Sequence, residues 1–362
     1  MSTITFPNNL KVSSSNWKSV CYGNNRFVAV NDNNNIVVIN DNQITPILID
    51  GASPDIGWVS ICYGNNQFFA AGVDYNTGGS VTAFLDKNMT QGPNYRTLDG
   101  AITPVSVCYG NGMFAVLSEG QVQFLNQNNR DIIDSVSLND STLWRSIAYG
   151  NGKLVAVGYG EISIIDPKLF NVSNQILLQC EWESVCYGNG MFVAVGVSGI
   201  GHGIIATLPD GAQNFTVMND IPDSVIDFFS VCYGPGMFVL SAYARDDYKL
   251  FTLNNTGTLT PAGIIPSYDT NSLFTYSLYS VSYGNNRLFI VGMDNRDHGV
   301  ILISDAVTDE TNPLLSDDTT MCNFGIIFCI ILILRISTKT NVVLLLCIAL
   351  LLSFVFRDYC LI

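Results

Sequence analysis

Apolar residues in this chain come in short runs at a regular beat. The clearest stretch is Trp182-Glu-Ser-Val-Cys-Tyr-Gly-Asn-Gly-Met-Phe-Val-Ala-Val-Gly196. Trp182–Tyr187 is rich in β-formers, Asn189-Gly190 is a turn pair, and Phe192–Val195 is wholly apolar. Two β-rich runs joined by Asn-Gly predict a tight hairpin, because both residues tolerate the positive φ that primed turns need. The arrangement occurs seven times, with Tyr-Gly at 22/23, 63/64, 109/110, 149/150, 187/188, 233/234 and 283/284. A third β-rich run follows the hairpin, as in Ile36–Ile39, Gly203–Thr207 and Val300–Ile303. After a polar turn such as Asn40–Gln43, a fourth run closes the unit. In the first repeat this is Ile44–Ile49, where Pro46 suits an edge strand.

Units of 38 to 50 residues, each with four antiparallel strands, predict an all-β, seven-bladed β-propeller of four-stranded antiparallel blades. A solenoid also repeats, but two hairpins per unit favour radial closure. The second-strand runs are almost entirely apolar, as expected of sheets covered on both faces. The propeller is expected over residues 1–314. The seventh repeat lacks a good fourth strand, because Asp305–Pro313 is acidic. Thr3–Phe6 precedes the first repeat, so we expect it to supply that outer strand and close the last blade.

The end of the chain is a different material. Residues 305–320 carry five acids and read as a linker overlapping the propeller's end. Residues 321–362 are expected to form a hydrophobic, helical, membrane-associating tail, with two apolar segments, Phe324–Leu334 and Val342–Phe356, separated by a stretch containing Arg335 and Lys339. Each segment is shorter than the ~20 residues of an ordinary spanning helix. A single anchor, a helical hairpin and an interfacial segment therefore all stay open, as does packing elsewhere. No basic patch followed by an apolar run begins the chain, so we expect no signal peptide. The expected location is a membrane, held by the tail, with the propeller facing the cytosol.

Charge and cysteine usage narrow the partners. Thirty acids against sixteen bases give a formal net charge of −14, which argues against nucleic acid and suits a cationic partner. Cys21, Cys62, Cys108, Cys186 and Cys232 occupy one slot, just before the repeat Tyr, and Ala148 and Ser282 fill it elsewhere. A slot that takes Cys, Ala or Ser wants a small buried side chain, so free thiols and a reducing compartment are expected. All four tryptophans, Trp17, Trp58, Trp144 and Trp182, lie five residues before that Tyr. Such regularity points to packing between blades and not to a sugar platform.

The repeat Trp-x-Ser-Val-x-Tyr-Gly-Asn-Gly-x-Phe-Val-Ala-Val-Gly, with Ala206-Thr-Leu-Pro-Asp-Gly211 downstream, resembles the repeats of sialidase-type (BNR/Asp-box-like) propellers. Similar repeats occur in photosystem-assembly-factor-like proteins. The resemblance implies the fold over about 310 residues, but that fold hosts enzymes, adhesins and scaffolds alike. The Asp-box survives only in traces, at Thr207–Phe215, Ser304-Asp305 and Asp166, and its Trp is missing.

A sialidase would need three convergent arginines. Outside hairpin turns and tail the chain offers Arg96, Arg130, Arg145, Arg245 and Arg296, with no spacing that gathers three. No enzyme and no cofactor are expected. His202 and His298 occupy matching loops and read as solvated, not as metal ligands. One constellation stands out: six repeats place an acid just after the second strand, at Asp32, Asp74, Glu119, Glu161, Asp246 and Asp294. If they share a face, they form an acidic binding ring; the competing reading is that acids favour turns. The expected function is a non-catalytic, membrane-tethered recognition or scaffold propeller that binds a protein partner through one face. A carbohydrate- or metal-binding adhesin-like propeller, or a degenerate sialidase-like glycosidase, is the alternative.

Overall fold

A computed structural model of the chain describes residues 4, 6, 8–11, 16–40, 43–47, 53, 55–86, 94–98, 102–128, 131–245, 247–264, 276–294 and 298–307. It divides into Met1–Val307 and Thr308–Ile362. The second unit, and with it the expected tail, lies outside the described residues.

Each repeat begins with a strand paired to the next across the expected turn. In the fifth, Trp182 faces Gly196, Ser184 faces Val195 and Gly188 faces Met191. Asn189 and Gly190 take φ of 44° and 73°, the left-handed conformation that the tight turn requires. The third strands follow the expected runs closely, at Ile36–Asn40, Gly203–Pro209 and Gly299–Ile303. The first repeat's fourth strand, Gln43–Ile47, puts Pro46 on the sheet edge.

The described strands form six antiparallel sheets, five of four strands and one of six. The six-stranded sheet joins repeats four and five. Its long strands, Lys153–Asp166 and Asn171–Gly188, each serve two pairings. Lys153–Gly158 pairs with Trp144–Gly150, whereas Glu161–Asp166 pairs with Asn171–Ile176. The remainder of the second long strand, Cys180–Gly188, pairs with Met191–Ser198. The connection at Tyr159-Gly160 is so short that no loop interrupts the sheet.

Three features tie each repeat to its successor and bring the seventh back to the first. Seven apolar clusters each draw on two successive repeats; the last packs Phe289, Val291, Ile301 and Ile303 against Trp17, Val20, Phe27 and Ala29. The repeat Ser carries the second link. Ser19 Oγ accepts the Ile61 N–H at 3.3 Å, Ser60 that of Val107 at 3.1 Å, and Ser106 that of Ile147 at 3.3 Å. Ser146 continues to Val185, Ser184 to Val231 and Ser230 to Val281, and Ser280 returns to Val20 at 3.3 Å. The third link is between Tyr and Gly. A Cβ added to Gly23 would strike the Tyr63 ring, and the same holds from Gly64 to Tyr109 onward until Gly284 meets Tyr22. Four tryptophans fill the seams at 0–2% exposure, which is the packing role their spacing indicated.

The closing strand differs from expectation. Asn8–Lys11, not Thr3–Phe6, pairs with Gly299–Ile303 as the last sheet's outer strand, with Asn8 opposite Ile303 and Lys11 opposite Val300. Ile4 instead donates its N–H to Ala262 of repeat six at 2.8 Å, and Ile4 and Phe6 are buried between repeats six and seven. The division is physical. Apolar Ile4 and Phe6 gain by burial between repeats six and seven, which leaves Asn8–Lys11 to the ladder.

Candidate interaction face

Inner strands begin at one end of the sheets, where the second and third strands also join; the Asn-Gly hairpins lie at the other. Five of the six acids, Asp32, Asp74, Glu119, Glu161 and Asp294, belong to the first end, the mouth. Their individual settings differ. Glu161 is buried, with Asn139 Nδ2 and Thr142 Oγ1 each donating at 2.9 Å and Ser163 Oγ at 3.3 Å. Asp74 is buried too, and its Oδ1 accepts the Asn76 N–H at 2.9 Å to fix a turn. Asp32 is half-buried, bound by Asn16 Nδ2 at 3.0 Å and paired with Lys18 at 3.5 Å. Glu119 is exposed. Asp294 ends the strand Arg287–Asp294, opposite Tyr276. Asp246 lies outside the described residues. Glu161 and Asp74 thus spend their oxygens on local structure.

Among the described residues the other sequence candidates do not converge either; Arg130 and Arg296 lie outside them. Arg96, Arg145 and Arg245 lie in repeats two, four and six, and Arg96 and Arg145 pair with Asp131 and Glu183 respectively. His202 is exposed in a turn where its N–H meets Ser198 Oγ at 3.2 Å. Among the described residues no three His, Cys, Asp or Glu side chains could hold a metal ion together. At the hairpin end a cavity of about 140 Å³ opens between repeats seven and one, lined by groups including Tyr22, Asn25, Asn40 and Arg287. It is well below the usual size of a small-molecule pocket, ~300 Å³ or more.

The mouth holds a constellation that residue patterns do not announce. Every inner strand carries a β-bulge after the Trp slot, leaving one residue outside the pairing register. Bulges turn a side chain away from its regular face. The bulged residues of successive repeats meet: Arg145 Nε lies 3.8 Å from Glu183 Oε2, and Lys18 Nζ stands 4.7 Å from the centre of the Tyr279 ring. Repeat six has a second bulge, between Val225 and Asp227. That extra residue, Ile226, is exposed, while Asp227 is brought into the field of repeat five.

Electrostatics there is unusual. Burial pushes the Asp227 carboxyl up to about 7, and Glu183 and Glu181 push the same way against a hydrogen bond from the Phe228 backbone. Its Oδ1 is sealed from solvent with no hydrogen-bond partner. Burial also raises Glu183, with Arg145 opposing and Glu181 adding. Tyr248, beside Tyr243, Asp227 and Tyr279, is pushed up to about 12, mainly by burial.

Large apolar side chains collect at the same end. Of nine exposed ones among the described residues, six lie at the mouth: Tyr75, Leu143, Tyr159, Ile200, Ile226 and Tyr279. Ile132 and Ile133 lie on an edge strand, and Leu169 lies in a turn at the hairpin end.

No family model matches the chain, and no curated protein matches it. Solved structures do. The chain is similar to the WD40 repeats of RRP9, at 10% identity over 83% of this chain and all of that one, with a TM-score of 0.64. It is similar to the β-propeller domain of Swd1 from Myceliophteria thermophila, at 11% identity over 84% of this chain and all of that one, with a TM-score of 0.61. YCF48 bound to D1 peptide is similar at 14% identity over 84% of this chain and 96% of that one, TM-score 0.61. At such identities the likeness establishes one thing, the fold: the described residues form a β-propeller.

Proposed function

We propose that this is a non-catalytic scaffold propeller of seven blades that binds a protein partner through its mouth. The seven-membered cycles of Ser and Tyr–Gly contacts support the blade count. The observation that carries the binding reading is the gathering of six exposed large apolar side chains at one end. Exposed apolar groups are ordinary singly, but a collection on one face marks interaction surfaces. YCF48, a propeller of similar fold, has a peptide bound to it, which is in keeping with such a role.

Residues 321–362 tether the propeller to a membrane in this reading, with the propeller facing the cytosol. The support is their two apolar segments and the bases Arg335 and Lys339 between them. The repeat's likeness to sialidase-type propellers adds no activity to this reading.

Proximity labelling in cells tests the binding reading. Tyr75→Ser with Ile226→Ser should lose partners that the wild type captures, whereas Leu169→Ser at the hairpin end should not. Equal labelling by wild type and mouth variant would remove the reading. Alkaline carbonate extraction tests the tether: the protein should stay in the pellet and move to the supernatant when residues 321–362 are deleted.

A further inference from the structure

Blades four to six hold a patch in which apolar and acidic side chains adjoin. Tyr159 and Glu181 are register partners, and the Tyr159 N–H donates to the Leu143 carbonyl at 3.1 Å. Glu183 is reached from Arg145 at 3.8 Å, and Asp227 shares its field with Glu181 and Glu183. Ile226 precedes Asp227 on the second bulge, and Ile200 tops the loop of blade five, 80% exposed.

We infer that this patch docks a basic, amphipathic segment of a partner protein. Its lysines or arginines lie against Glu181, Glu183 and Asp227, and its apolar side chains cover Leu143, Tyr159, Ile200 and Ile226. This inference rests on the reading of the mouth as the partner face and names the sector and the chemistry.

Charge complementarity selects the occupant. Three carboxyls face one arginine in the patch, so a segment bringing positive charge relieves a repulsion that the free protein carries. A second copy of this chain would bring the same acids and a net charge of −14. An anionic lipid surface or a nucleic acid would be repelled for the same reason. The apolar side chains supply the desolvated anchors that a purely ionic contact lacks.

The chemistry of the chain's own seams points the same way. Lys18 already places its ammonium over Tyr279 next to Asp32, so an aromatic–carboxylate wall at this mouth takes a cation. In blade six, Asp227 stands near Tyr248, whose ring lies 5.8 Å from that of Phe229, and Arg145 answers Glu183 alone among the three carboxyls.

The test uses the full chain and a fluorescein-labelled synthetic peptide of alternating lysine and leucine pairs, with a twin carrying Glu in place of every Lys. Anisotropy should show binding of the basic peptide, weakening as salt rises, and none of the acidic twin. Glu183→Gln with Asp227→Asn should weaken the basic peptide by about tenfold, as should Leu143→Ser with Ile226→Ser. Each variant must melt as cooperatively as the wild type. Equal binding of both peptides, or wild-type binding by both variant pairs, overturns the inference. Proximity labelling separates its failure from that of the broader reading. Capture insensitive to both patch pairs but lost on Tyr75→Ser with Glu119→Gln removes the patch and keeps the mouth; capture unchanged by any of them removes both.

Discussion

The ring of Tyr22 fills the space that a side chain on Gly284 would occupy. The two residues are the last and first links of a cycle that runs through every repeat. Each Tyr-Gly pair therefore does two things at once: its Tyr covers the glycine behind it, and its Gly makes room for the tyrosine ahead. Gly284→Ala should cost about 1–3 kcal/mol, the usual range for overpacking. Denaturant midpoints at constant slope would show it. A matching loss in Gly150→Ala, against Tyr187, would establish that the closing seam is no weaker than an internal one.

The start of the chain should contribute in two steps. Removing residues 1–6 takes away buried Ile4 and Phe6 and the Ile4–Ala262 hydrogen bond, worth about 3–6 kcal/mol for the two side chains. Removing residues 1–11 also takes the outer strand of the last blade. Thermal midpoints should fall at each step, and the second truncation should become more prone to aggregate through its bared edge.

Glu161 is expected to be a stability residue. Replacing it with Ala leaves Asn139 and Thr142 donors unanswered in a buried place, at a cost of about 1–3 kcal/mol. Peptide binding by variants that remain folded should be unaffected. Altered affinity at full folding would give Glu161 a role in recognition instead.

The carboxyl of Asp227 makes stability depend on pH in an unusual direction. Its folded value of about 7 exceeds the ordinary 3.8, so the folded state holds the proton more tightly than the unfolded one. Its stabilising effect is complete below about pH 4, declines as pH rises and is gone above about pH 7. Asp227→Asn should flatten that decline and leave the variant more stable than wild type at pH 8. The gain should be on the order of 1–2 kcal/mol once solvent screening of this partly exposed group is allowed for. Denaturation curves across pH for both proteins give the comparison.

Thiol reactivity should report on the integrity of the inner strands. The six described cysteines are free, and burial pushes those of the repeat slot well above their ordinary value, Cys186 to about 12. Thiolate is the reactive form, so a disulfide reagent at pH 8 should scarcely modify them in the folded protein. With Cys322, Cys329, Cys347 and Cys360 changed to Ser, all six should react together at the unfolding rate. Rapid reaction of one of them in the native protein would place that thiol elsewhere.

Most of the fold was legible because hairpins are local. Asn-Gly turns, a recurrent Trp, and apolar second strands such as Phe192–Val195 state their structure within fifteen residues. The small slot at Cys186 and the packing of Trp182 were equally readable, since one slot accepted interchangeable small residues and the other repeated at fixed spacing. The closing strand was legible in kind but displaced, because Thr3–Phe6 and Asn8–Lys11 compete for one edge and only the seam beside Ala262 rewards the apolar pair. The mouth was less readable. Placing an acid after the second strand predicts its end of the sheet correctly, yet whether a carboxylate is free depends on neighbours such as Asn139 and Thr142, twenty residues away. Bulges are hidden for a related reason: an extra residue shows only against a partner strand, so Asp227 looks like any strand aspartate until its register is known.

The outer strand of the last blade has a mechanical consequence. Asn8 stands opposite Ile303, so the chain enters and leaves that ladder at the same end. A pull between the two termini would not shear the four residue pairs together. It would first free Ile4 from Ala262 and then peel the ladder one pair at a time from Asn8 toward Lys11. Blades four and five, fused through Asn171–Gly188, have no such starting point. The ring would part where its ends meet, under a small force, and the other seams would hold.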